Sequence, residues 1–325
     1  MGRRSASIGR GPQRGSRAGV EIGRGPQRGS RAGVEIAALT LALLLVRSSG
    51  AAAQRDVELD LAIFARVMQP GEVVRVDVTC ACDVVRARAT ALGRSTPFFP
   101  MAAPSVWRGL IGIDVEAKPG TYPIAILIDR TGQPSLTVTR ELSVTAKRFP
   151  IRRLRVADRF VNPDPDTVKR IWEEAARLET LFQIVTARLW NEPVQPFRAP
   201  VAEPATGSFG ARSVFNGQPR SVHGGMDFES EAGTPIAAPG AGTVVLAEEL
   251  YFTGNTIVID HGVGVYSVLA HLSTIGVGAG DRIQQGAIVG QVGATGRVTG
   301  AHLHWGVRLN GARIDPLSLI AAVSE

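Results

Sequence analysis

Four histidines and one aspartate in the last third of this chain constrain it more than any other feature, because they are the ligand types of a metal site gathered in one region. His223 and Asp227 stand four apart in His223-Gly224-Gly225-Met226-Asp227, His271 lies in Leu269-Ala270-His271-Leu272-Ser273, and His302 and His304 lie in Gly300-Ala301-His302-Leu303-His304-Trp305. On a strand, alternate side chains share a face, so both imidazoles of the last pair point one way and Leu303 the other. The glycines around His223 and Asp227 are expected to give the backbone freedom for both side chains to reach one ion. Catalytic zinc takes three protein ligands from His and Asp or Glu and leaves a fourth position for water. This segment has ligands to spare, which points to an open site rather than a closed structural one.

The same region reads as β-rich. Strands are expected at 243–247, 256–260, 265–270, 287–292, 303–309 and 312–314, the last two joined by Asn310-Gly311, a two-residue hairpin signal. Residues 55–147 also read as all-β. Val57–Leu61, Val74–Val78 and Leu136–Leu142 alternate, with turn signals at Gln69-Pro70-Gly71, Lys118-Pro119-Gly120 and Thr131-Gly132. Short strands at this spacing predict an immunoglobulin-like β-sandwich. Between the two, residues 148–204 read as a connector. Asp164 to Asp166 start a helix, and Val168, Ile171, Trp172, Ala175, Leu178, Phe182, Val185 and Leu189 form one apolar stripe expected to pack on a neighbour. Pro193, Pro196, Pro200 and Pro204 follow as a stiff linker.

The formal charge of +7 is confined to the N-terminus. Residues 1–53 hold nine arginines and two glutamates, leaving 27 basic and 27 acidic residues beyond them. A chain neutral from there on has no electrostatic reason to bind nucleic acid or an anionic membrane. Upstream, Ile8–Glu21 and Ile22–Glu35 are the same 14 residues, IGRGPQRGSRAGVE, too rich in Gly, Pro and Arg to build a core. An apolar run from Ile36 to Val46 and then Ala51-Ala52-Ala53 complete a secretory signal, with cleavage expected after Ala53. The run is about half the ~20 residues a spanning helix needs, so no stable membrane insertion is expected once it is removed; an uncleaved anchor is the alternative. Cys80 and Cys82 are expected to be small buried or half-buried thiols, a strained disulfide being the alternative open to an exported chain.

Residues 205–318 resemble the LytM/lysostaphin-type zinc metallopeptidases, peptidoglycan peptidases of the duplicated hybrid motif fold. The resemblance runs through Ser208-Phe209-Gly210-Ala211-Arg212, His223-Gly224-Gly225-Met226-Asp227, Gly233-Thr234-Pro235-Ile236-Ala237-Ala238-Pro239, Asp260-His261-Gly262, Ala270-His271-Leu272-Ser273, Gly293-Ala294-Thr295-Gly296, His302-Leu303-His304-Trp305 and Asp315-Pro316. It implies that His223, Asp227 and His304 hold one zinc ion per chain and that His271 and His302 are catalytic, flanking the attacking water. Family members often carry Tyr two residues before the third histidine; Leu269 stands there, which removes a polar contact but no ligand. His261 is read as structural, Trp305 as core or cleft wall, and Arg308, Asn310 and Arg313 as cleft lining or a solvated hairpin. A lipoyl-carrier resemblance around Gly280–Gly290 is excluded because no lysine follows Lys169.

The expected architecture is thus mostly β: a signal segment (1–53), an immunoglobulin-like β-sandwich (55–147), a connecting α-helix and Pro-rich linker (148–204), and a C-terminal antiparallel β metallopeptidase domain (205–325). The expected function is an exported zinc metalloendopeptidase of the periplasm or cell envelope, acting on peptidoglycan peptide. The sandwich and helix are expected to restrain the C-terminal domain, as an intramolecular regulator or a surface for a protein one. The alternatives are a non-catalytic scaffold that activates another wall hydrolase, or an endopeptidase of extracellular protein.

Overall fold

Alternating apolar residues in the N-terminal half produce seven antiparallel strands: β1 (Leu59–Phe64), β2 (Val73–Cys80), β3 (Val84–Ala91), β4 (Arg94–Pro100), β5 (Val106–Gly112), β6 (Gly120–Arg130) and β7 (Gln133–Val144). They follow the order β1-β2-β5-β4-β3-β6-β7 in a computed structural model that describes residues 59–103, 105–190 and 196–324. The 1–53 signal reading, Val57 and Pro193 lie outside the described residues. Val74, Val76, Val78, Ile124, Ile126 and Ile128 point inward and share one core. The other face of β2 and β5 is buried too: Val73 and Leu110 join the core of the C-terminal half. Polar contacts reinforce that junction. The Val73 amide donates to Ser318 Oγ at 2.8 Å, and Arg313 Nη2 reaches Asp114 Oδ1 at 2.8 Å.

Cys80 and Cys82 form a disulfide rather than the expected thiols. β2 ends at Cys80 and the chain bends, so the two need not share a strand face; their Cα atoms are 5.1 Å apart, within bridging range.

The segment after β7 is more than a linker. β8 (Ile151–Leu154) pairs in parallel with β9 (Arg212–Phe215), which pairs with β10 (Gln218–Val222). Between β8 and β9 runs α1 (Pro165–Phe182), N-capped by the Asp164 carboxylate, which accepts from the amides of Asp166 and Thr167. Leu178, Leu181 and Phe182 pack on Leu246, Leu250, Val258 and Tyr266. The expected stripe is longer than the helix: Val185 and Leu189 lie beyond its end, and Trp172 is 71% exposed. The helix stops because tertiary bonds take the backbone that follows. Tyr266 Oη donates to the Ile184 carbonyl, the Val263 amide to Thr186, and the Leu189 amide to His261.

The C-terminal half is one antiparallel sheet built from β11 (Gly225–Phe228), β12 (Pro235–Ala237), β13 (Gly242–Leu250), β14 (Gly254–Gly262), β15 (Val265–Ile275), β16 (Arg282–Ile283), β17 (Ile288–Val292), β18 (Leu303–Leu309) and β19 (Ala312–Ile314), followed by α2 (Pro316–Val323). Its main path is β11-β18-β15-β14-β13-β16. Asn310 and Gly311, at φ 48° and 80°, turn β18 into β19 as a two-residue hairpin requires. No helix among the described residues is long and apolar enough to cross a membrane.

Candidate active site

Asp227 sits on β11 directly opposite His304 on β18, and His304 faces Ala270 of β15 on its other side. The expected backbone freedom of the glycine segment is therefore corrected for Asp227: a strand ladder fixes it, and its amide donates to Ser208 Oγ at 2.9 Å. The glycine serves another end. A Cβ at Gly225 would come within 2.6 Å of both His304 Nε2 and the Trp305 carbonyl, so Gly225 makes room for the His304 ring. His223 follows β10, held by its amide to the Ala211 carbonyl and its carbonyl to the Gly210 amide.

The three side chains converge. Asp227 Oδ1 lies 3.1 Å from His223 Nε2 and 3.0 Å from His304 Nδ1, and those two ring nitrogens are 2.9 Å apart. Zinc bonds of about 2.0–2.2 Å in a tetrahedron put its ligands about 3.3 Å apart, so this triangle needs little expansion to hold the ion. All three donor atoms fall within 4.8 Å of one another. His223 Nδ1 donates to the Ser208 carbonyl at 3.0 Å, which leaves Nε2 with its lone pair towards the triangle. Two imidazoles and one carboxylate are a donor set that fits zinc.

His271 and His302 stand beside this triangle, their ring centroids 4.9 Å apart. His302 Nε2 is 3.9 Å from Asp227 Oδ1, and its Nδ1 donates to the Gly300 carbonyl at 3.0 Å. His271 occupies a bulge of β15 with φ 67°, a left-handed conformation a non-glycine residue adopts at a cost. Its amide donates to the Thr253 carbonyl and its Nδ1 to the Thr295 carbonyl at 2.9 Å. The bulge re-aims a side chain that regular alternation would direct elsewhere.

The electrostatics follow from burial. Burial alone would raise the Asp227 carboxyl, but the His223 and His304 rings packed against it hold it far below the usual carboxylate range. Burial, then the charges of His304 and His302, lower His271 to about 3, so it is a neutral imidazole at neutral pH. Burial also lowers His304 against the opposing Asp227 hydrogen bond.

His261 is fully buried in β14, bonded to the Ala241 carbonyl through Nδ1 and to Ser267 Oγ through Nε2, far from any open surface. Trp305 is core, its Nε1 donating to Ser267 Oγ at 3.1 Å. Leu269 pairs with Trp305 on the face away from His304, so it touches none of the site. Arg308 and Arg313 line a cavity of about 510 Å³ that also holds His223, Asp227, His271, His302 and His304. One neighbour escaped the sequence reading: Arg152 of β8, whose Nη1 lies 3.3 Å from Asp227 Oδ2. Nothing local marks it among the arginines of the connector; only the β8–β9 pairing brings it there.

A protein-family model described as Peptidase family M23 matches residues 221–316, the stretch that carries all five residues of the cluster. The Neisseria meningitidis DD-carboxypeptidase/endopeptidase Mpg is 36% identical over 104 residues, 32% of this chain and 24% of that protein. The Vibrio cholerae peptidoglycan DD-endopeptidase ShyA is 38% identical over 95 residues, 29% of this chain and 22% of that protein. The match thus spans about a quarter of the length of these curated relatives. A solved Pseudomonas aeruginosa structure assigned to peptidase M23 is 31% identical, covers 78% of this chain and 96% of its own, and superposes with a TM-score of 0.60.

Proposed function

The chain belongs to peptidase family M23, and from that premise we propose that it is an exported zinc metalloendopeptidase that hydrolyses peptide bonds of bacterial peptidoglycan, in the stem or in a cross-link. The observation that carries this reading is the convergence of His223, Asp227 and His304 within 4.8 Å, with His271 and His302 at their side. The names of the relatives, DD-endopeptidases and a DD-carboxypeptidase/endopeptidase, support a wall substrate and an extracytoplasmic place of action.

In this reading His223, Asp227 and His304 hold one zinc ion, which when bound supplies a Lewis acid that lowers the pKa of its water from ~15.7 toward ~7. The chain's own residues do the rest. The Thr295 and Gly300 carbonyls each accept a hydrogen bond from a histidine Nδ1–H, which leaves Nε2 of His271 and His302 to accept a proton. A neutral imidazole so placed takes a proton from the attacking water and returns it to the leaving amine. Once protonated, it donates to the oxyanion that forms at the scissile carbonyl.

Residues 55–147 are read as an immunoglobulin-like sandwich, which the order β1-β2-β5-β4 followed by β3-β6-β7 supports. Residues 148–204 are read as the connector that restrains the peptidase domain, 205–325. Arg152 on Asp227, and Leu178 and Phe182 in the cavity wall, support that restraint. Export is read from the segment ending at Ala53, and N-terminal sequencing of secreted protein should find a start at Gln54 or within a few residues of it. Digestion of purified sacculi by the mature protein, with mass analysis of the fragments, tests the whole: new amine ends at peptide bonds are expected, and intact peptides after exhaustive digestion would refute it.

A further inference from the structure

Arg297 stands in the wall of the same cavity as His271 and His302, and no carboxylate among the described residues pairs with it. Its guanidinium is clamped between two rings, 4.7 Å from the Phe215 centroid and 4.2 Å from that of Phe252. Ring stacking occupies the faces of a guanidinium and leaves the N–H donors at its edge free. Those edge donors form the planar fork that matches a carboxylate bidentately.

The position of this fork is tied to the catalytic cluster. The Arg297 amide donates to the Phe252 carbonyl at 2.9 Å. One residue further, the Thr253 carbonyl accepts from the His271 amide, and two residues before Arg297 the Thr295 carbonyl accepts from His271 Nδ1. The two loops that orient His271 therefore also orient Arg297. The surroundings are cationic: burial and the charge of Arg220 lower Arg297 to about 10, which leaves it protonated at neutral pH. Arg220 Nε is itself buried without a hydrogen-bond partner. A half-buried cation without a counter-charge is costly to keep, and an arriving anion removes that cost.

We propose that Arg297 receives a free carboxylate of the substrate peptide, so that preferred substrates carry an ionised carboxyl close to the scissile bond. The inference deepens the peptidase reading and rests on it. It makes Arg297 a specificity residue that touches substrate, while His271 and His302 handle protons.

The test uses the full chain with its metal and synthetic cross-linked stem-peptide dimers, supplied in pairs in which one free carboxyl is kept or converted to carboxamide. A charge-assisted hydrogen bond is worth about 10- to 100-fold, and amidation of one particular carboxyl should lower kcat/KM by that factor, mainly through KM. Arg297→Met should lose a similar factor on the carboxylate member and become indifferent to amidation; Arg297→Lys should keep part of the preference. Calorimetric binding of the same pairs to His302→Ala protein should show the wild-type preference without turnover. A purely packing role for Arg297 would change both members of a pair alike. If wild type cuts both members of every pair equally, or if Arg297→Met or, should that variant not fold, Arg297→Lys retains the full preference, the assignment is overturned and the peptidase reading stands. If wild type cuts no dimer at all, the peptidase reading falls and takes this inference with it.

Discussion

Asp227 and His304 are registered partners across the β11–β18 ladder, and their side chains meet at 3.0 Å between Oδ1 and Nδ1. A cross-strand pair is the shortest-range relationship two distant residues can have in a sheet, so strand pairing alone sets two of the three proposed ligands. The third, His223, arrives from the turn that precedes β11.

Purified wild-type protein should therefore carry about one zinc per chain. His223→Ala, Asp227→Ala and His304→Ala should each weaken binding by more than the 10- to 100-fold typical of outer-sphere substitutions. Elemental analysis after dialysis against a weak chelator reads this directly. Full zinc in His304→Ala protein would refute the ligand assignment.

His271→Ala and His302→Ala should behave differently, keeping zinc while losing turnover. General acid–base catalysis contributes about 100- to 10,000-fold, and each loss in kcat should reach that range. Chelation of the wild type should abolish cleavage of sacculi, and added zinc should restore it. A wild-type protein that never cleaves, yet stimulates a separate wall amidase equally well with either histidine replaced, would favour the scaffold reading instead.

How much of this could be read before folding is visible in single residues. His302-Leu303-His304 was legible because strand alternation is local: Leu303 is buried, and both imidazoles lie on the side of Asp227. Strands β18 and β19 were legible to the residue, since Asn310-Gly311 marks their turn. The short strands β9, β11, β12 and β16 were not, because two to four residues carry too little periodicity to show. The left-handed backbone of His271 was equally hidden, for it arises from a bulge against β14 that no local pattern encodes. The end of α1 is hidden for a related reason: its apolar stripe continues to Leu189, but hydrogen bonds to His261 and Tyr266 pull the chain away after Phe182. Arg152 is the extreme case, 75 residues from Asp227 and placed only by the β8–β9 pairing.

Acid should weaken the fold through His261. Burial, against the opposing Ala241 hydrogen bond, lowers this imidazole from 6.5 to about 4. Between those values the unfolded chain binds a proton that the folded chain refuses, so stability rises with pH across the window. The contribution is fully present above about pH 6.5, falls as pH drops, and is lost once pH passes below about 4. Its ceiling is about 3 kcal/mol. Urea titrations at pH 7 and pH 4.5 should show the loss, and His261→Gln should show a smaller one. An unchanged pH dependence in the variant would mean that other groups govern acid unfolding.

Gly225→Ala should separate the geometry of the site from its chemistry, because it alters no ligand and no charge. The added Cβ meets the His304 ring and the Trp305 carbonyl at 2.6 Å. The ring could swing aside, but the carbonyl belongs to the β11–β18 ladder and cannot move without breaking the pairing of Gly225 with Gly306. Overpacking of this kind costs about 1–3 kcal/mol. The variant should thus fold with a lower midpoint in urea, and zinc affinity should drop because the Asp227–His304 spacing is disturbed. Gly224→Ala is the matched control: its Cβ would meet only the flexible Arg313 side chain, at 3.5 Å, an ordinary contact. It should leave both stability and zinc content near the wild-type values. Equal zinc affinity in the two variants would show that the close approach at Gly225 does not position His304.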